Sequence, residues 1–166
     1  MGGADFDRLS HLNAQGEAHM VDVGGKPATE RGAVAEGWLS TSVETLRRLR
    51  AGETPKGDVL AVARVAGIMA AKRTAEWIPL CHPLSLSGVE VDIALGETGI
   101  AVSASVRTRG STGAEMEALT AVSATLLTLY DMLKAVDRSM ELGPVRLVEK
   151  WGGRSGHFRR DARFHV

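Results

Sequence analysis

The sequence has a single cysteine, Cys81, among its 166 residues. One cysteine excludes an intramolecular disulfide. The first residues lack the basic and then apolar pattern of a secretory signal, so we expect a reducing, cytoplasmic location. No apolar run approaches the roughly 18 residues that span a bilayer.

An excess of charge of one sign is also missing, because 20 basic and 20 acidic residues balance to a formal net charge of zero. This balance removes the global electrostatic argument for nucleic-acid binding. Neither the histidines nor Cys81 have the spacing of a zinc site, and no carboxylate constellation compels a metal. We therefore predict no metal site. The histidines are His11, His19, His82, His157 and His165.

The composition, with 44% hydrophobic and 24% charged residues, is typical of one globular domain. Residues 1–16 are polar and contain several glycines, which predicts a flexible N-terminal arm. Residues 17–156 form the predicted single α+β domain. Residues 157–166 form a basic C-terminal tail that we expect to be mobile.

The order of the predicted elements indicates the fold class. Strands, then helices, then a hairpin, a helix and a last strand favour an antiparallel sheet with helices packed on one face. On the last strand, alternation predicts Arg146, Val148 and Lys150 on one face. The predicted elements are a short strand in 18–23, a strand at 31–41, helices at 43–51 and 59–77, a hairpin of 89–95 with 100–107, a helix at 113–138 and a strand at 144–150.

The helix predicted at 113–138 organises the rest of the chain. Its leucines and valines recur every three or four residues, and residues 118–130 carry no charge. A helix without charge around its circumference is buried on more than one side. The preceding helix carries small residues at Ala63, Gly67 and Ala71, along which another backbone can approach. For a chain of this size, both features indicate subunit contacts.

Ionisable residues stand at both ends of this helix. Asp131 and Lys134 are neighbours at three-residue spacing, and Glu115 and Glu117 lie at the first turn. Such places are often functional. The alternative is a structural ion pair and two helix-capping glutamates. Lys56 lies just outside the start of the second helix, which Asp58 is expected to cap, and it can equally be an ordinary surface lysine.

Cys81 and His82 lie between Pro79 and Pro83, which stiffen the segment and keep it out of a helix. A rigid segment suits a histidine that must be presented accurately. The alternatives are a structural histidine and a small buried cysteine. Residues 152–156 are rich in glycine and can form an anion-binding concavity beside Lys150 and Arg154. That signal is weak alone, because glycine-rich turns are common.

Taken in series, these stretches resemble the molybdenum cofactor biosynthesis protein C family of cyclic pyranopterin monophosphate synthases. The stretches are KGDVLAVARVAGIMAAKRTAEWIPLCHPL (56–84), TGAEMEALTAVSATLLTLYDMLKAVD (112–137) and KWGGRSG (150–156), preceded by HMVDV (19–23). The resemblance runs from about His11 to Gly156. Small departures are Trp77, Ala114, Leu133 and Arg154, and none removes a functional group.

The resemblance implies a ferredoxin-like α+β fold and a homohexamer, a trimer of dimers with active sites at the dimer interface. It also implies that a cyclised dihydro-GTP is rearranged to cyclic pyranopterin monophosphate with release of pyrophosphate. The implied catalytic residues are Lys56, His82, Glu115, Glu117, Asp131 and Lys134. The implied substrate-binding residues are Leu80, Cys81, His82, Met116 and Glu117, with Lys150 and Arg154 as phosphate ligands.

That reaction needs acids and bases poised near neutral pH, and the two lysines, one held by Asp131, suit this role. Lys72, Arg73 and Mg²⁺ are further candidates for stabilising phosphate charge, although the sequence requires no cofactor. Two other hypotheses remain open. One is a non-catalytic oligomeric module that binds a nucleotide or pterin, and the other is a purely structural assembly protein.

Overall fold

A computed structural model describes residues 11–161 of the chain. Residues 1–10 and 162–166, which hold most of the predicted arm and half of the predicted tail, lie outside the described residues. The domain limits therefore stay a prediction. The elements are β1 (Thr29–Ser40), α1 (Val43–Ala51), α2 (Val59–Ala71), α3 (Thr74–Trp77), β2 (Leu86–Leu95), β3 (Gly99–Gly110), α4 (Glu115–Leu133), β4 (Glu141–Trp151) and β5 (Phe158–Arg159).

The strands form one sheet in the order β2-β3-β1-β4-β5, and every neighbouring pair is antiparallel. Helix α4 packs on β1, β3 and β4, while α2 packs against α4 and β2. The first four strands with these two helices have the ferredoxin-like arrangement of a split β-α-β unit. The predicted α+β fold is confirmed.

The core lies between α4 and the sheet. Ala33, Ala35 and Leu39 of β1 are fully buried, as are Val122 and Leu126 of α4. Small residues in β1 let the helix approach closely: a Cβ on Gly37 would lie 2.7 Å from Cγ1 of Val122. The same device brings α2 against α4, because a Cβ on Gly67 would lie 3.0 Å from the carbonyl oxygen of Ala121.

The predicted single helix at 59–77 is wrong in its second half. Helix α2 ends at Ala71, and a separate short α3 begins at Thr74. The Thr74 hydroxyl donates hydrogen bonds to the carbonyl oxygens of Ala70 (3.3 Å) and Ala71 (3.0 Å). Threonine hydroxyls compete in this way with the backbone ladder of a helix.

Three predictions about strands also need correction. Residues 18–23 form no strand, since only an isolated bridge joins Leu12 to Ala18. The tail, which we expected to be mobile, begins with strand β5, and β5 pairs with the edge of β4. A bulge near Val148 places Arg146 opposite Glu36 and Lys150 opposite Ala33. Glu36 and Ala33 are three residues apart on β1, so their side chains face opposite sides of the sheet. Their partners Arg146 and Lys150 therefore do not share a face.

This topology gives the molecule two ends that matter for function. At one end lie the starts of β1, β2 and α4 and the ends of β3 and β4. At the other end lie the β2–β3 turn, the start of α2 and the end of α4. Among residues 11–161, no helix combines the length and apolar character that crossing a bilayer demands.

Candidate active site

Three predicted residues meet at the carboxyl end of α4, and we call them the lysine cluster: Lys56, Asp131 and Lys134. Lys134 Nζ lies 2.7 Å from Oδ1 of Asp131, and Lys56 Nζ lies 3.0 Å from Oδ2. Lys56 Nζ also donates to the Asp131 backbone carbonyl at 3.1 Å. The cap of α2 helps to place Lys56, because Asp58 accepts a hydrogen bond from Ala61 N and so fixes the loop before the helix. One carboxylate thus holds two ammonium groups.

The lysine cluster is half exposed within one protomer, with side-chain exposures of 42% for Lys56, 55% for Asp131 and 52% for Lys134. Hydrogen bonds from Lys134 and Lys56 lower the pKa of Asp131, which keeps its carboxylate charged. Exposed ion pairs contribute little to stability. A purely structural role is therefore a weak explanation for two lysines on one aspartate.

A second group of predicted residues lines a pocket at the amino end of α4, which we call the α4 pocket. Its volume is about 310 Å³. The predicted residues that line it are Leu80, Cys81, His82, Glu115, Met116 and Glu117. Apolar walls with a few convergent polar groups are typical of small-molecule sites.

Glu117 is the most perturbed group of the α4 pocket. It is 3% exposed, and its Oε2 has no hydrogen-bond partner among the residues that the structure describes. The pKa of Glu117 is raised to about 7, mainly by burial; a backbone hydrogen bond opposes the shift, and the nearby Glu115 adds to it. A carboxyl group with this pKa can give or take a proton at neutral pH.

His82 and Cys81 reach the α4 pocket from the proline-flanked segment. The His82 ring nitrogen Nε2 lies 2.7 Å from the carbonyl oxygen of Val21, so the 18–23 segment orients the ring rather than joining the sheet. Burial raises the pKa of the half-buried Cys81 thiol, and Glu117 adds to the shift. A raised pKa argues against a thiolate nucleophile and favours the apolar alternative for Cys81.

The predicted phosphate ligands lie on what we call the basic turn, residues 150–156, at the same end of the sheet as the α4 pocket. Gly152 and Gly153 have φ of 83° and 76°, so both need the left-handed region that glycine tolerates. Lys150 Nζ donates to Ser155 Oγ, and Arg154 is exposed. A Cβ on Gly153 would lie 2.6 Å from Nη1 of Arg31, so this guanidinium covers the turn.

The lysine cluster and the α4 pocket are separate within one protomer. Glu115 begins α4 and Asp131 lies in its last turn, and at 1.5 Å per residue their backbones are about 24 Å apart. The sequence predicted one pocket where two protomers meet. A single chain brings the predicted catalytic residues together in two groups and not in one.

A family model described as the MoaC family matches residues 20–153, most of the chain and both groups of residues. The chain belongs to the MoaC family. A protein of Thermomicrobium roseum named cyclic pyranopterin monophosphate synthase is 60% identical over 155 residues, which are 92% of this chain and 93% of that protein. Proteins with the same name from a Roseiflexus species and from Brevibacillus brevis are 59% and 56% identical, over 92% and 93% of this chain and 98% and 97% of their own lengths.

Three basic side chains of this MoaC-family chain lie at these sites although no sequence pattern pointed to them. His11 and Lys26 line the α4 pocket. Arg31 donates from Nε to the Gly110 carbonyl (3.0 Å) and Thr29 Oγ1 (3.1 Å), which aims its terminal nitrogens at the basic turn. Lys26 follows Gly24 and Gly25, which are typical of a loop but do not indicate that Lys26 lines the α4 pocket. Arg31 looked like an ordinary strand residue.

Other predicted candidates lie elsewhere. Arg73 lines an outer groove between α2 and α4 of about 320 Å³, and Lys72 is exposed at the break between α2 and α3. Within the part of the chain that the structure describes, no group of three His, Cys, Asp or Glu side chains is arranged to hold a metal ion. Leu80 and Met116, by contrast, supply apolar walls of the α4 pocket.

Proposed function

We propose that this chain is a cyclic pyranopterin monophosphate synthase, a phosphorus–oxygen lyase of molybdenum cofactor biosynthesis. Its substrate would be (8S)-3',8-cyclo-7,8-dihydroguanosine 5'-triphosphate, and its products cyclic pyranopterin monophosphate and pyrophosphate. The names of the relatives support the activity. The separation of the lysine cluster from the α4 pocket is the observation that carries our account of the site.

We further propose that each active site is built from two protomers. If the two-fold axis of an interface formed by the α2–α4 surface runs across α4, the α4 helices of the two chains run antiparallel, and the amino end of one lies beside the carboxyl end of the other. The α4 pocket of one protomer then faces the lysine cluster of its partner. That contact would remove water from the half-exposed lysines.

The outer face of α2, α3 and α4 supports such an interface. It exposes large apolar side chains around the outer groove, and an extended apolar patch of this kind marks an interaction surface. These side chains are Val62, Val65, Met69, Trp77 and Leu127, each between 45% and 54% exposed. The homohexamer stays our expectation for the complete assembly.

The chemistry divides between the groups. The α4 pocket would hold the guanine-derived ring, with Glu117 and His82 exchanging protons at its nitrogens. Lys56 and Lys134 would act as acid and base, since a lysine gains or loses proton affinity with the charge beside it. Asp131 would hold both ammonium groups at the reacting atoms.

The basic turn would bind the phosphates. Closing the cyclic phosphate requires a substrate hydroxyl to attack the α-phosphorus while the bond to pyrophosphate breaks. Lys150, Arg154 and Arg31 would stabilise the negative charge that develops on the phosphate oxygens. Lys72 and Arg73 stay candidates for the same role, with Arg73 in the outer groove that the proposed interface covers.

The test is incubation with the cyclised dihydro-GTP, followed by assays of released pyrophosphate and of the fluorescent oxidised pterin. We expect Lys56→Ala and Asp131→Ala each to lower turnover by about 100-fold or more while the assembly persists. The control is Arg47→Ala, an exposed residue of α1 paired with Glu44 and Glu53. Wild-type protein that binds the nucleotide without releasing pyrophosphate would instead indicate a binding module, and silent lysine variants would indicate a scaffold. The Mg²⁺ requirement and the cytoplasmic location stay predictions.

A further inference from the structure

Asp137 follows the lysine cluster in sequence, and its carboxylate accepts four hydrogen bonds. It is 8% exposed. Its Oδ2 accepts from Thr41 Oγ1 and from Ser42 N, both at 3.0 Å. Its Oδ1 accepts from Ser139 N at 2.9 Å and Ser139 Oγ at 2.6 Å. These donors lower the pKa of Asp137, led by the Ser139 hydroxyl, so the buried carboxylate stays charged.

These bonds join the two segments that carry the lysines. Asp137 follows Lys134 by three residues, and its own backbone N–H donates to the carbonyl of Leu133, the last residue of α4 (3.0 Å). Ser42 is the N-cap of α1, and α1 leads through Gly52 into the loop that holds Lys56. One carboxylate therefore ties the end of α4 to the start of the helix that leads to Lys56.

The ion pairs of the lysine cluster are too weak to fix the spacing of the two backbone segments that carry the lysines. Its ion pairs are about half exposed, and such pairs are weak and lose side-chain freedom when they form. A buried carboxylate with four donors is far more restrictive, because moving either segment would leave charge or donors unsatisfied away from water. The Asp58 cap fixes the loop around Lys56, and the position of that loop relative to the end of α4 depends on the backbone that Asp137 holds.

We propose that Asp137 is a positioning residue that sets the distance between Lys56 and the Asp131–Lys134 pair. The effect of Asp137 on turnover rests on the proposed function. Its effect on the distance between the two lysines does not. Asp137 touches neither the α4 pocket nor the lysine ammonium groups. It acts through the Ser42 cap and the chain that follows α4.

The kinetic test uses Asp137→Asn, which keeps the size of the side chain but replaces one acceptor oxygen with a donor. Misplacement of reacting groups by about 1 Å can cost about 100-fold in rate, so we expect kcat to fall by about 10- to 100-fold with KM within about threefold. The control is Val106→Ala, which weakens the fully buried centre of β3 away from this segment. Wild-type kcat in Asp137→Asn, or an equal loss of kcat in Val106→Ala, would overturn the inference.

A second readout does not depend on turnover. The NMR chemical shifts of the carbon and nitrogen atoms at the side-chain ends of Lys56 and Lys134, assigned with lysine-to-arginine variants, report their contacts with Asp131 and should change in Asp137→Asn. Unchanged signals in Asp137→Asn would overturn the inference. An inactive wild type would contradict the proposed function and not this inference. If Asp137→Asn does not fold, Thr41→Val and Ser139→Ala each remove one donor and should show the same effects at about three- to tenfold.

Discussion

The raised pKa of Glu117 makes protein stability depend on pH in a direction opposite to that of ordinary carboxylates. The folded state holds the Glu117 proton up to about pH 7, whereas the unfolded state releases it near 4.5. Between these values the folded state binds more protons, so the free energy of unfolding falls as the pH rises. Glu117→Gln stays neutral and should not show this fall.

The magnitude follows from the two pKa values. A shift from 4.5 to about 7 corresponds to about 3 kcal/mol of unfolding free energy, present in full below pH 4.5 and lost above pH 7. Contributions of other carboxyl groups, including Asp131, are common to both proteins and cancel in the comparison. The free energy of wild type minus that of Glu117→Gln should therefore fall by about 3 kcal/mol from pH 4.5 to pH 7.5.

The assay is urea unfolding at a fixed protomer concentration across this pH range, because association makes stability depend on concentration. Glu97→Gln, in the exposed β2–β3 turn, is the matched control and should give a curve parallel to that of the wild type. A difference between wild type and Glu117→Gln that does not change with pH would refute the reasoning. Glu117 would then be ionised in the folded state at neutral pH.

Three further predictions concern packing, assembly and phosphate binding. Gly67→Ala places a methyl group against Thr125 and the α4 backbone, so thermal unfolding should show a loss of about 1–3 kcal/mol. Leu127→Asp puts a charge on the exposed apolar face, so light scattering after gel filtration should show smaller particles, and pterin formation should fall with the loss of assembly. Arg31→Gln removes a cation from the basic turn, so KM for the cyclised dihydro-GTP should rise by about tenfold in steady-state kinetics.

Each of these predictions has a result that contradicts it. Wild-type stability of Gly67→Ala would mean that α2 and α4 are not in close contact. Leu127→Asp particles of wild-type size would remove the apolar face from the interface. The control Arg47→Gln should keep the wild-type KM. If Arg31→Gln also keeps it, Arg31 does not bind the phosphates.

The ends of a helix were predicted well where residues next to the end determine it. Helix α1 begins and ends as expected, because the Ser42 hydroxyl accepts from Thr45 N and Gly52 adopts the left-handed conformation. The break after Ala71 depends on which carbonyl oxygens the Thr74 hydroxyl contacts, and periodicity does not encode that choice. The strand β5 forms only because the edge of β4 is open to it.

The sequence named candidate residues for the site, but it did not indicate how they are arranged. Glu115 and Asp131 are 16 residues apart on one helix, so their spacing alone puts them in different groups. The contact of Lys56 with Asp131 comes from packing between segments 75 residues apart in the sequence. Lys26 and Arg31 acquire their places only when the loop after residue 23 and the start of β1 meet the α4 pocket and the basic turn. Short motifs carry no record of such tertiary neighbours.

Mixing two inactive variants tests the two-protomer site most directly. Lys56→Ala damages only the lysine cluster, and His82→Ala damages only the α4 pocket. If each site combines the two groups from different protomers of a two-fold pair, random reassembly of equal amounts restores about a quarter of wild-type sites. We predict recovery of pterin formation to that level. No recovery, in mixed assemblies shown to contain both variants, would contradict a site shared between protomers.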